Sequence, residues 1–145
     1  MNDMSHQEKT AWLMIVAYTV SFGPYLILMA MRPPQSQMPD LPTLGWFAVA
    51  ATGLALVVGV GRLWLRFRYP VDARAPVDER DLAILRKSGR VAYFVLITGM
   101  IVVGCVMPFM ATGWALVNAA LLAIVLAELV ASFLTVWGYR RGSDD

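Results

Sequence analysis

Glu128 is the one ionisable residue that lies deep inside an apolar run, and it is the first candidate for chemistry. Ser132 follows four residues later, which places both side chains on one face of a helix. A charged group at this depth costs about 2.5–3.5 kcal/mol on insertion scales. One hypothesis is a site for a proton or another cation. The other is a neutral, structural acid that is hydrogen-bonded to Ser132 or to a hydroxyl on another helix, namely Tyr18, Tyr93 or Thr98.

A second polar group, Asp78-Glu79-Arg80-Asp81, precedes another apolar run. Asp78 is suited to cap a helix, and negative charge at Glu79 and Asp81 favours its first turn. Consecutive acids on a helix point in different directions, and no histidine accompanies them, so we predict no metal site. The helix that begins here either turns into the membrane near Ser88-Gly89 or continues straight.

Other kinds of chemistry lack the residues they need. Cys105 and the serines have no histidine beside them for nucleophilic catalysis, because His6 is the only histidine. A glycine-rich phosphate loop and a zinc-binding spacing are also absent from the sequence. We therefore expect a protein that is not an enzyme and has no catalytic residue or cofactor.

The elements that must position these residues are apolar. Hydrophobic residues make up 59% of the 145 and charged residues 15%, whereas a soluble domain has about 25% charged residues. Four runs, about 10–31, 44–65, 91–109 and 111–139, are close to the roughly 20 residues that a helix needs to cross a bilayer. The sequence predicts an all-α fold: a four-helix bundle in the membrane, forming one domain over 1–145 with a linker at 66–90.

The positive charges predict the orientation of these runs. Eleven of the twelve lysines and arginines fall on one side of a four-span arrangement, and Arg32 is the exception. Lys and Arg favour the cytoplasmic side, so we expect both termini and the linker in the cytoplasm of a cell, with a bacterial inner membrane as the location. The basic linker either only sets this orientation or also attracts anionic lipid. This placement of charge does not indicate a nucleic-acid partner.

The second and fourth runs resemble each other. Gly45-Trp46 recurs as Gly113-Trp114, 68 residues later, and matching alanines, leucines and valines follow. Either the chain contains two tandem-duplicated helical hairpins, or alanine is simply common in both runs. Small residues at a spacing of four form a stripe in each: Ala51, Ala55 and Gly59 in the second run, and Ala119, Ala123 and Ala127 in the fourth. Such stripes let helices pack closely, so we expect the two to meet within the bundle or between protomers.

The Asp78–Asp81 segment, placed just before a third apolar run, resembles the "DER" motif of an uncharacterised family of small four-span prokaryotic membrane proteins. The resemblance implies the same layout, no catalytic residue and a regulatory or accessory role. We expect a small membrane protein that acts through helix packing and its cytoplasmic loop, as a homo-oligomer or within a larger membrane complex. The alternative is a small proton-coupled transporter that uses Glu128.

Overall fold

The computed structural model describes residues 5–32, 41–70 and 78–141, and the regular structure within them is entirely helical. The helices are α1 (His6–Met31), α2 (Leu41–Arg68), α3 (Glu79–Ile101) and α4 (Trp114–Arg141). Each is long and apolar enough to cross a membrane, with α3 counted together with the turns that follow it. The predicted helical class and the number of apolar helices are therefore confirmed.

Helices α1 and α3 begin at polar caps, and both begin before the predicted runs. Ser5 accepts a hydrogen bond from the Gln7 backbone N–H (3.3 Å) at the start of α1, and Asp78 accepts one from the Glu79 N–H (2.7 Å) at the start of α3. From there α3 continues as one α-helix through Ser88 and Gly89, so the chain does not turn at that point. Helix α2 extends to Arg68 and α3 begins at Glu79, so both helices continue into the predicted linker at 66–90. Residues 71–77 of this linker lie outside the described part, as do 33–40 between α1 and α2.

The far end of α3 changes its helical geometry before the chain reverses. A π-helical turn (Val102–Val106) and a 3₁₀ turn (Met107–Phe109) follow the α-helix. Pro108 has no N–H to donate to the preceding turn, so the regular α-helical pattern cannot continue through it. Gly113 then adopts a left-handed conformation (φ 58°), which glycine accepts without strain, and α4 begins at the next residue.

The helices pack in the order α2, α1, α4, α3. Helix α4 lies between α1 and α3, whereas α2 packs mainly against α1. The buried core joins three helices through Phe22, Tyr25 and Met29 of α1, Ala50 of α2 and Val125 of α4. The two related segments thus occupy different positions, because α2 lies at a margin of the bundle and α4 lies inside it. The tandem duplication stays a prediction from the sequence.

Both marginal helices leave most of their apolar surface uncovered. Large side chains such as Val60 and Leu56 on α2 and Phe94 on α3 are more than half exposed. A domain that folds in water buries such residues preferentially. This exposure suits helices surrounded by lipid or by the helices of a partner, and it supports a multi-pass membrane protein.

Candidate functional site

Glu128 lies at the midpoint of α4. It is 13 residues from Arg141, which corresponds to about 20 Å along the helix axis. The side chain is half-buried, and its neighbour Ala127 is buried. An acid at this position would lie near the centre of a bilayer that α4 crosses at a small tilt.

Tyr18 of α1 lies close to two ionisable side chains, one of which is Glu128. The Glu128 carboxyl group and the Arg62 guanidinium of α2 both lie within electrostatic range of the Tyr18 hydroxyl on α1. Tyr18 was one of the three hydroxyls considered as partners from the sequence, whereas Tyr93 and Thr98 are exposed on α3. Three helices therefore bring an acid, a phenol and a guanidinium to one region of the bundle.

A hydrogen bond between Glu128 and Ser132, which was one of the alternatives for a structural acid, is not formed in the described residues, although Ser132 is buried. The Glu128 carboxyl group likewise makes no hydrogen bond or ion pair with any described side chain. The structural role that was considered for this acid therefore lacks the hydrogen bond that would support it. The group remains available to a proton or to a ligand.

Arg62 is the functional candidate that the sequence reading did not single out. It precedes the end of α2 by six residues, about 9 Å along the helix. Its guanidinium Nη2 contacts the Met14 sulfur at 3.9 Å, and no described carboxylate lies within ion-pair distance of it. The signal in the sequence was an arginine inside an apolar run, where a cation needs a partner.

Most of the charges lie at the starts of α1 and α3 and at the ends of α2 and α4. We call this region the charged end. Its side chains form a polar network. Asp81 accepts a hydrogen bond from the Tyr139 hydroxyl at 2.6 Å. Glu8, which is buried, pairs with Arg140 at 3.7 Å. The Arg140 guanidinium also lies 5.5 Å from the centre of the Trp12 ring. These contacts connect α1, α3 and α4.

The Asp78–Asp81 segment divides into two kinds of residue. Asp78 and Asp81 are held by the cap and by Tyr139, so both contribute to the fold. Glu79 and Arg80 are exposed. Across the described ranges, no three His, Cys, Asp or Glu side chains are close enough together to hold a metal ion.

Two further hydrogen bonds join α4 to its neighbours. Thr135 donates to the Ser88 hydroxyl of α3 at 3.0 Å, in a buried setting. Tyr25 of α1 donates to the side-chain oxygen of Asn118 at 2.7 Å, at the opposite end of the bundle. Both pairs place polar groups of α4 against partners on helices that pack on it, and both serve the fold.

The two stripes of small residues have different surroundings in the described part of the chain. A methyl group added at Gly99 of α3 would come within 2.6 Å of the Ala123 side chain, so this part of the α4 stripe packs against α3. Ala127 is also buried, whereas Ala119 and Ala51 are partly exposed. On α2, Ala55 and Gly59 are exposed. In the described residues α2 packs mainly on α1, so contact between the two stripes, within the bundle or between protomers, stays a prediction.

A cavity of about 670 Å³ lies at the charged end between α1 and α2. Its described lining consists of His6, Gln7 and Thr10 of α1, Arg62, Leu65, Arg66 and Phe67 of α2, and Pro70. The lining includes two arginines and no described carboxylate. Its size is in the range of pockets that hold small molecules.

No protein-family model, curated protein or solved structure matches this chain. The function is therefore inferred from the geometry of the site.

Proposed function

We propose that this chain is a multi-pass membrane protein without enzymatic activity that acts as a regulatory or accessory subunit of a larger membrane complex. The observation that supports this is a continuous face of small residues on α2 that none of the other described helices covers. Its members are all exposed: Gly45, Ala48, Thr52, Ala55 and Gly59. We call it the small face of α2.

The geometry of the small face suits the close approach of another helix. Its members follow one another at alternating spacings of three and four residues, which is the pattern of the seam in a left-handed pair of helices. Small residues permit backbone contact where lipid removes the hydrophobic driving force, and the Thr52 hydroxyl can add a hydrogen bond across such a contact. No atom of the described residues lies within 4 Å of a methyl group added at Gly45 or Gly59, so both ends of the face are open with respect to this part of the chain.

The partner we propose is a transmembrane helix of a different protein. The marginal helices α2 and α3 are at opposite ends of the packing order, and both leave apolar surface uncovered. A two-fold pair through α2 would cover only one of these margins, whereas a larger complex can cover both. Exposed Glu79 and Arg80 at the start of α3 supply a polar contact for the same complex.

The proposal includes a location. Arg66 and Arg68 in the last turn of α2 and Arg140 and Arg141 in the last turn of α4 lie at the charged end. An excess of positive charge favours the cytoplasmic face. We therefore propose that both termini lie in the cytoplasm and that the membrane is a bacterial inner membrane.

A pull-down from native membranes in mild detergent tests the proposal. Ala55→Phe places a bulky ring on the small face, and Val60→Phe places the same ring on an exposed part of α2 away from it. We expect Ala55→Phe to lose most of the captured partner while Val60→Phe retains it. Equal capture by both variants, or capture of only a second copy of the chain, would overturn the proposal.

The second candidate function is a small proton-coupled transporter, and the specific observation in its favour is the unpartnered Glu128 in the same region as Tyr18 and Arg62. In proteoliposomes that carry a pH gradient, Glu128→Gln should abolish uptake of a transported solute or its dependence on the gradient. Glu79→Gln, which removes an exposed acid, is the matched control. Uptake that survives unchanged in Glu128→Gln rules this function out.

A further inference from the structure

We propose that the cavity between the start of α1 and the end of α2 is a binding site for a ligand that carries a net anionic phosphate group. The ligand would be held by Arg62 and Arg66. These residues are four apart on α2, so their side chains leave the helix on the same face, and both line the cavity. The proposal is independent of the small face and of Glu128.

The positive charge of the cavity is not neutralised by the described part of the chain. Neither arginine has a carboxylate within ion-pair distance among the described residues. Glu8, on the same helix as the α1 lining residues, pairs with Arg140 of α4 instead. Asp81 accepts a hydrogen bond from the Tyr139 hydroxyl. Glu8 and Asp81 therefore both contact side chains of α4, and neither contacts an arginine of the cavity.

Arg62 has hydrogen-bonding capacity that the described residues do not use. A guanidinium carries five N–H donors, and the contact of Arg62 is with the Met14 sulfur at 3.9 Å, which is a weak acceptor. Within an apolar helix, a cation without a counter-charge is costly, and an anion that binds there removes that cost.

The lining favours phosphate as the anion. Guanidinium groups bind phosphate oxygens through two parallel hydrogen bonds, and two arginines on one face can hold one group together. The Gln7 side-chain amide adds a neutral donor from α1. The Thr10 hydroxyl donates to the His6 carbonyl at 2.9 Å, so its oxygen is left only as an acceptor.

The apolar part of the lining is consistent with two sources of this phosphate. Leu65 and Phe67 offer a wall against which the glycerol or acyl part of an anionic lipid can lie. The cavity volume also accommodates a small soluble phosphate ester. The recognition chemistry is the same for both, and the experiment separates them.

Native mass spectrometry of the full chain in a zwitterionic detergent tests the proposal. The probes are phosphatidylglycerol, phosphatidylcholine as the lipid without net charge, and glycerol 3-phosphate as the soluble ester. We expect preferential binding of phosphatidylglycerol or glycerol 3-phosphate, weakened roughly tenfold or more in the double variant Arg62→Gln/Arg66→Gln, because two charge-assisted contacts are lost. Retention of the lipid identifies the membrane as the source, and retention of the ester alone identifies a soluble ligand.

A matched double variant, Arg68→Gln/Arg86→Gln, removes the same charge from residues that do not line the cavity. It should retain binding. Circular dichroism should show unchanged helicity for the cavity variant, and Arg66→Gln alone provides a milder change if the double variant folds poorly. Equal binding of the three probes, no binding of any, or the same loss in both double variants would overturn the proposal.

Discussion

Gly99 on α3 and Ala123 on α4 touch so closely that a methyl group added at Gly99 would come within 2.6 Å of the Ala123 side chain. The two helices therefore approach each other at a point where only hydrogen fits. Ala123 aligns in sequence with Ala55, yet Ala55 is exposed on α2. An alanine at the aligned position is therefore packed against another helix in α4 and exposed in α2.

The close contact predicts that Gly99→Ala destabilises the bundle, because the added methyl group meets a short side chain that cannot move aside. Overpacking of this kind costs about 1–3 kcal/mol. Gly89→Ala on the same helix is the matched control, because no atom of the described residues lies within 4 Å of a methyl group added there. Thermal unfolding in detergent should show a lower Tm for Gly99→Ala only; an equal or higher Tm would refute the packing of α3 on α4.

The charged end predicts that Tyr139→Phe weakens the attachment of α3 to α4. The Tyr139 hydroxyl donates to Asp81 at 2.6 Å, and a hydrogen bond of this kind contributes about 1–2 kcal/mol. Tyr93→Phe removes a hydroxyl from an exposed tyrosine and should leave the free energy of unfolding unchanged. In a double-mutant cycle, Tyr139→Phe and Asp81→Asn should be non-additive. Additive effects would show that the two groups do not interact.

The position of Glu128 predicts that Glu128→Gln leaves the fold intact. The carboxyl group makes no hydrogen bond or ion pair with a described side chain, so an amide of the same size removes no native contact. Circular dichroism and thermal unfolding in detergent should show the same helicity and the same Tm for Glu128→Gln as for the unchanged chain. A marked loss of helicity or of Tm in this variant would instead indicate a structural acid.

The sequence predicted the features that depend on local properties. Apolar length indicated four helices, and the cap at Asp78 indicated the start of α3. Whether α3 turned near Ser88 depended on a tertiary contact, since the buried bond from Thr135 to Ser88 holds this part of α3 against α4. Helix order was also beyond the sequence, because α2 and α4 have nearly the same pattern of small and apolar residues.

Only part of the candidate site could be predicted, because some of its contacts depend on how the helices pack. Glu128 was visible as an acid in an apolar run, and Tyr18 was among the hydroxyls considered beside it. The approach of Arg62 depends on α2 packing against α1, which a pattern within one helix does not encode. Asp81 was predicted only to favour the first turn of a helix, and the folded chain places Tyr139 next to it.

The central claim is that the small face of α2 receives a helix of another membrane protein, and crosslinking in native membranes tests it most directly. A thiol-specific photocrosslinker is attached to Ala55→Cys or to Val60→Cys, each in a Cys105→Ser background because Cys105 is exposed. The account predicts an adduct with a different protein from position 55, none from position 60, and loss of the adduct when Gly59→Phe is added. No protein adduct at position 55, the same adduct from both positions, or an adduct with only a second copy of the chain would contradict it.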